Sequence, residues 1–474
     1  MEWVAAPEYW LGRVLFQRLV ALVYLLGFLA AARQFRALIG EHGMLPVPRF
    51  TARTGWRQAP SLFRFHYSDR VFACTAWSGA ALAAAVLAGA ADQLPLAAAL
   101  LLWAVLWLLY LSIVNVGQLW YSFGWESLLL EAGLLAAALG NDRVAPPLPV
   151  LLLARWLLFR VEFGAGMIKL RGDRCWRELS CLRYHHETQP MPGPLSWWFH
   201  HLPAPLHRVE AAANHGVQLA VPVGLFLPQP VAGVCAGLII VTQLWLVLSG
   251  NFAWLNWLTV ALACTAVPAA PRDRPVGPAW YLGLVGAYTL LVVVLSHHPV
   301  RNLLSHRQVM NRSFDRLHLV NAYGAFGSVN RLRLEVVVEG TDEPRPGPDT
   351  RWREYGFRGK PGDPYRMPRQ FAPYHLRLDW QMWFAGISPA YARPWFTPFV
   401  RRLLAGDRDT LRLLRHDPFA GAPPTYVRAR LYRYRFTDLR TLRSTGAWWE
   451  RTLVREYLPP VALADFPQVR GDPH

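Results

Sequence analysis

The sequence predicts an α-helical, polytopic membrane bundle of about nine hydrophobic segments, followed by a C-terminal mostly-β domain for which a β-sandwich is one available form. Two observations lead there. Apolar residues make up 53% of the 474, charged ones only 17%, and 22 residues are tryptophan; apolar runs of about 17 to 22 residues recur, enough to span hydrocarbon as helices. Beyond residue 298 those runs stop, and from 318 onward apolar and polar side chains begin to alternate with the period of a strand.

In chain order, the first apolar run covers about 11–31 and lacks a small-residue cleavage site, so it reads as a retained signal anchor. A basic loop over 32–70 follows, then spans near 71–91 and 96–116 separated by a turn at 92–95. Tryptophans and tyrosines between Trp103 and Trp125 mark an interface, as aromatic belts do. A shorter fourth segment contains WESLLLEAG, whose Glu126 and Glu131 are candidate partners for Arg155 and Arg160 on the fifth span, 148–169. A polar loop rich in Pro, Trp and His covers 169–208, and four further spans are expected at 209–227, 231–249, 252–267 and 280–297.

Residues 1–310 thus form the expected multi-span domain and 311–474 the expected water-facing domain. In the latter, RLRLEVVVEG, PYHLRLDWQMWFAG and TYVRARLYRYRF read as strands, with turns at GTDEPRPGPD and GKPGDP. One amphipathic helix is expected within 394–415 and a short one at 448–457.

The stretch 155–191 concentrates the candidate chemistry. Arg155, Glu162 and Lys169 are spaced by seven, which on a helix of about 3.6 residues per turn puts them on nearly one face. With Arg160 and Glu131 they form an intramembrane charged stripe, a functional-site hypothesis by default because unpaired charge in hydrocarbon is costly. Only Lys169 and Lys360 among the 49 basic residues are lysine. Where plain charge suffices, arginine has replaced it, so Lys169 is a candidate base oriented by Glu162; a snorkelling cation or a structural ion pair is the plain alternative.

Histidines cluster after this span: His185, His186, His200, His201, His207 and His215. Together with Glu187 they make a polar loop that also holds Cys175 and Cys181. That pair is read as a disulfide if the loop lies outside the cytoplasm, in preference to a metal site, because C-x5-C-x3-H is not a zinc spacing. The net charge of +18 comes without any nucleic-acid-binding motif, which excludes nucleic acid as a partner. No G-x-S-x-G elbow is present, which argues against a lipase. The loops at 32–70 and 169–208 carry seven and six basic residues, and by the positive-inside rule their side would face the cytoplasm.

The strings FGWESLLLEAG, FGAGMIKLRGDRCWRELSCLRYHHETQPMPGPLSWWFHHLP, NAYGAFGSVNRLRLEVVVEGT, WREYGFRGKPGD and YHLRLDWQMWFA resemble the lipase maturation factor family, over most of the chain. The resemblance implies a non-enzymatic, chaperone-like role for a client lipase or another secreted or membrane protein, with membrane lipid as the surroundings. It also places the 169–208 loop on the luminal or periplasmic side, against the charge count. A bacterial relative would reside in the cytoplasmic membrane, a eukaryotic one in that of the endoplasmic reticulum. Trp197, Trp198 and Phe199 are the expected client contacts.

A fainter likeness, Ala165, Gly166, Lys169, Leu170 and Trp176, is to vitamin K-dependent gamma-carboxylase and its HTTM-type relatives. It implies the alternative of a membrane enzyme with Lys169 as general base on a lipophilic substrate. No cofactor is called for, a bound lipid or quinone being the small molecule that such a site would suit.

Overall fold

The computed structural model describes residues 4–466. Five helical segments are long and apolar enough to cross a membrane: Pro7–Leu38, Asp69–Ala88, Leu96–Val116, Val231–Ser249 and Ala279–Leu304. Their main helices are here α1 (Trp10–Leu38), α2 (Asp69–Ala88), α3 (Leu96–Val116), α9 (Val231–Ser249) and α11 (Ala279–Leu295). Between them in the chain lie α4 (Gly124–Ala138), α5 (Leu148–Arg171), α6 (Leu182–Thr188), α7 (Ser196–His200), α8 (Ala204–Leu219) and α10 (Leu255–Cys264). The four expected segments outside the set of five are α4, α5, α8 and α10. Each is too short or too charged for a plain lipid span, and α4 and α5 bury most of their residues inside the bundle.

Helix α1 is the hub, packed on α2, α4 and α10. Its Tyr24 and Phe28 meet Tyr110 edge-on, with ring centroids 5.6 and 5.2 Å apart. Small residues admit these rings: a Cβ at Gly79 would strike the Phe28 ring, and one at Gly133 the Tyr24 hydroxyl. Close approach at glycine is how helices pack where no hydrophobic effect drives them together. By contrast α9 and α11 keep most of their apolar surface outward, as lipid-facing helices do.

After the bundle, β1 (Arg312–Ser313) and β2 (Asn321–Ala322) form a small antiparallel ladder. The principal sheet is antiparallel in the order β4-β3-β5-β6, with β3 at Arg333–Thr341, β4 at Arg353–Glu354, β5 at Tyr426–Phe436 and β6 at Trp449–Val461. Val336 and Val338 join the main core with Val427, Ala429 and Leu431, while Val337 packs with Tyr434, Phe436, Trp449 and Trp197 on the other side. Both faces of β3 are therefore covered. The covers are the helix α12 (Arg377–Ile387) and the 169–208 loop, so this is a single sheet between helix and loop and not a sandwich of two sheets.

Two local readings change accordingly. The stretch read as a strand, PYHLRLDWQMWFAG, is α12: six successive residues from Arg377 to Met382 are buried, so alternation carried no information there. The expected short helix at 448–457 is instead β6, whose Thr452 and Val454 suit the edge of the sheet. The helix expected within 394–415 is present as α13 (Phe396–Leu404), stopped by Gly406 at φ +63° before a short turn at Arg408–Leu411.

The C-terminal region is bolted to the bundle. Arg377 donates to Glu126 Oε1 at 2.7 Å and to the Trp120 carbonyl at 2.6 Å, its guanidinium 3.5 Å from the centre of the Tyr121 ring. Glu126 also accepts from the Tyr110 hydroxyl at 2.5 Å. Gln34 of α1 accepts the Arg377 backbone N–H and donates to the His375 carbonyl. Glu126 thus pairs across to α12 and not with α5.

Arg377→Met would strand a fully buried carboxylate, and we expect it to cost about 3–5 kcal/mol, with Glu126→Gln/Arg377→Met recovering part of the loss. Thermal unfolding in detergent micelles measures both. Burial, with Arg377 adding to it, lowers the pKa of His375 to about 4. The unfolded imidazole binds a proton near 6.5 and the folded one resists until about 4, so stability falls as pH drops through that window. A melting-temperature series from pH 7 to 4 should show this decline, and His375→Gln should flatten it.

Candidate functional site

The charged stripe on α5 does not form one chain of ions; each member turns to a different neighbour. Arg155 donates to the Leu225 carbonyl at 3.2 Å and lies over the Tyr9 ring. Arg160 pairs with Glu131 of α4 and donates to the Asn321 carbonyl at 2.7 Å. Glu131 further accepts from the Asn321 amide at 2.9 Å and the Tyr323 hydroxyl at 2.7 Å, which ties β2 to the bundle. Glu162 accepts from Gln243 of α9 at 2.6 Å, and Gln243 accepts in turn from Asn256.

Lys169 closes α5 in a cradle. Its ammonium donates to Asn214 Oδ1 at 2.7 Å and Gln218 Oε1 at 2.9 Å, both on α8, and sits 4.8 Å from the Trp176 ring centre. Two amide oxygens and an aromatic face are what a retained cation asks for. Lys360, the other lysine, is held alike: Glu335 at 2.9 Å, the Pro361 carbonyl at 3.0 Å, and the Phe357 ring at 4.8 Å.

Past Lys169 the chain is pinned at once. Asp173 caps the helical turn Arg174–Arg177 and pairs with Arg331 at 2.9 Å, and Trp176 donates to the Phe326 carbonyl. Cys175 and Cys181 are joined as a disulfide with Cα atoms 4.8 Å apart. Their sulfurs are thereby withdrawn from any metal. On α6, His185 is buried between Phe252 and Phe326, and this loss of solvent drives its pKa well below the ordinary imidazole value. Glu187 accepts the Phe436 backbone N–H of β5 at 2.8 Å. His200 lies 3.6 Å from Glu187, but burial pushes its pKa down to about 3, so the neutral ring makes no ion pair there.

Arg333 of β3 fastens the same loop to the sheet. Its guanidinium donates to the carbonyls of Glu187, Gln189 and Pro190 at 2.8, 2.5 and 3.0 Å, and pairs with Glu335 at 2.7 Å. On α7, Trp197 is buried, donates to the Thr437 carbonyl at 2.8 Å and stacks near His201, whose Nδ1 faces the Trp197 carbonyl at 2.7 Å. Phe199 is buried against His186 and Trp245. The expectation that Trp197, Trp198 and Phe199 all meet a client is therefore corrected: alternate members of this short helix serve the core, and only Trp198, 52% exposed, faces outward.

Sequence reasoning had not singled out Glu210, Asn214, Gln218, Arg333 or Arg377. The signal for the first three was present as His207, Glu210, Asn214 and Gln218, polar residues at helical spacing of three and four along one face of a segment read as a span.

Residues 11–271 match the profile described as lipase maturation factor transmembrane domain, and 319–459 that described as lipase maturation factor C-terminal domain. Lipase maturation factor 1 of Homo sapiens is 40% identical over 97% of this chain and 89% of its own length, and that of Mus musculus 39% over 97% and 88%. Lipase maturation factor 2 of Homo sapiens is 28% identical over 96% of the chain and 83% of its own length. No solved structure matches. The carboxylase alternative finds no support among these relatives.

The cysteines can be checked directly. Maleimide should label Cys175 and Cys181 only after reduction and unfolding. Cys175→Ser/Cys181→Ser should lower stability by about 2 kcal/mol, the loop-closure value for so short a ring.

Proposed function

The chain belongs to the lipase maturation factor family, and from that premise we propose that it is a multi-pass membrane maturation factor that assists the folding or assembly of a secreted or membrane lipase. The observation that carries this reading is the match of both family domains, in order, along nearly the whole chain. The bundle supplies the anchor. The 169–208 loop and the sheet, locked together by Arg333 and Trp197, supply a rigid working surface. A preorganised surface gives up little entropy when an unfolded client docks on it.

The Cys175–Cys181 disulfide supports placing that surface in an oxidising compartment: the lumen for an endoplasmic reticulum protein, the periplasm for one in a bacterial cytoplasmic membrane. Exposed aromatics are available for the client. Trp198 stands out on α7, and Phe65 with its edge-on neighbour Trp56 stands out on the 32–70 loop. Lys169 acts in this reading as a structural cation joining α5 to α8 and takes no part in proton transfer.

The test is the specific activity of a secreted lipase produced with and without this protein. A several-fold rise in activity per mass of secreted lipase is expected, and equal specific activity in both hosts would overturn the proposal. Trp198→Ala should reduce the rise while leaving abundance and melting temperature unchanged, whereas Trp197→Ala should lower the melting temperature by removing a buried indole and its hydrogen bond. Lys169→Arg keeps the charge and donors and should retain the rise in lipase activity; its loss in a stably folded variant would restore the case for a base.

A further inference from the structure

Three side chains with metal-ligating atoms converge where α6, α7 and α8 meet, and the maturation role uses none of them. His186 of α6 and His207 and Glu210 of α8 bring one ligand atom each within 4.8 Å of one another. His186 Nε2 lies 3.4 Å from Glu210 Oε2, and His207 Nδ1 lies 4.0 Å from the same oxygen. A tetrahedral zinc ion with bonds of about 2.0–2.1 Å sets its ligand atoms roughly 3.3 Å apart. The two separations to Glu210 are each within an ångström of that spacing.

The surroundings are those of a ligand site and not of a satisfied core. The side chains of His186 and His207 are 1% and 3% exposed, and the Nδ1 of each ring has no hydrogen-bond partner among the described residues. His207 Nε2 lies 3.3 Å from the His200 carbonyl, so its N–H donates there and the Nδ1 lone pair is left facing Glu210. The second oxygen of Glu210 accepts the Trp245 indole N–H at 2.8 Å. An outer hydrogen bond on the far atom of each of these two ligands is the pattern that orients metal-binding side chains. A half-buried carboxylate beside two imidazoles is also a place where a dication relieves an electrostatic cost.

We propose that His186, His207 and Glu210 form a zinc-class divalent metal site with its fourth position open to water. Two histidines and one glutamate are a donor set of nitrogen and oxygen that suits zinc, and three protein ligands leave one tetrahedral position free. The ion would join α6 to α8, with Trp245 of α9 as the outer support.

The experiment uses the full chain in detergent micelles, purified through a cleaved affinity tag, stripped with a chelator, and titrated with Zn2+ and separately with Co2+. One equivalent should bind, with the visible absorption of four-coordinate Co2+ and a rise in melting temperature on adding Zn2+. His207→Ala and Glu210→Gln should each weaken binding by more than tenfold and abolish the absorption; Trp245→Phe should weaken it about tenfold. Glu210→Gln preserves side-chain shape and the acceptor for Trp245, which separates loss of a ligand from loss of fold. No stoichiometric binding by the wild-type chain, or binding unchanged by these substitutions, would overturn the proposal.

Discussion

The buried pair of Glu126 and Arg377 sets the terms on which the two halves of this molecule coexist. Both side chains are wholly withdrawn from solvent, and neither could stay so without the other. Removing two charges from water is so unfavourable that the arrangement depends on good geometry and on further polar partners. Tyr110 and Trp120 supply hydrogen bonds and Tyr121 a ring face, and these residues come from the membrane bundle. The bundle is therefore incompletely satisfied without α12, and α12 without the bundle. The pairs of Arg160 with Glu131 and of Arg333 with the loop carbonyls repeat that logic at β2 and β3. Arginine, with five donors in a fixed fork, is suited to all three junctions.

Much of the bundle was legible because lipid imposes a simple rule on composition: the five long apolar helices lie close to their expected positions. Less legible were segments whose surroundings are protein. α4 and α5 have the hydropathy of marginal spans because their charges are answered inside the bundle. The helix α12 hid its period because nearly every side chain in its first turns is buried, and β6 hid its own because an edge strand with one open face tolerates a mixed pattern. Glu131 and Arg160 could be paired from the sequence as neighbours on successive segments. Glu126 could not, since its partner lies 251 residues away.

The candidate site shows the same division. A run of seven-residue spacings identified Arg155, Glu162 and Lys169, but spacing reports a common face and not a common partner. The structure distributes them among Leu225, Gln243 and the amides of α8, so what looked like a relay is a set of separate fastenings between helices. The aromatic triplet of α7 divides in a similar way, because a helix of five residues presents successive side chains in different directions. For a protein whose relatives are named for lipase maturation, the outcome is a scaffold whose buried charges join its own parts.

The two lysines carry one further consequence. In a chain whose other basic positions are all arginine, Lys169 and Lys360 have like surroundings: oxygen acceptors on one side and an aromatic face on the other. A compact ammonium, whose three donors rotate freely into place, suits such a set of acceptors without demanding a fixed fork geometry. Each lysine thereby acts as a rivet between elements, Lys169 joining α5 to α8 and Lys360 joining its own loop to Glu335 of β3.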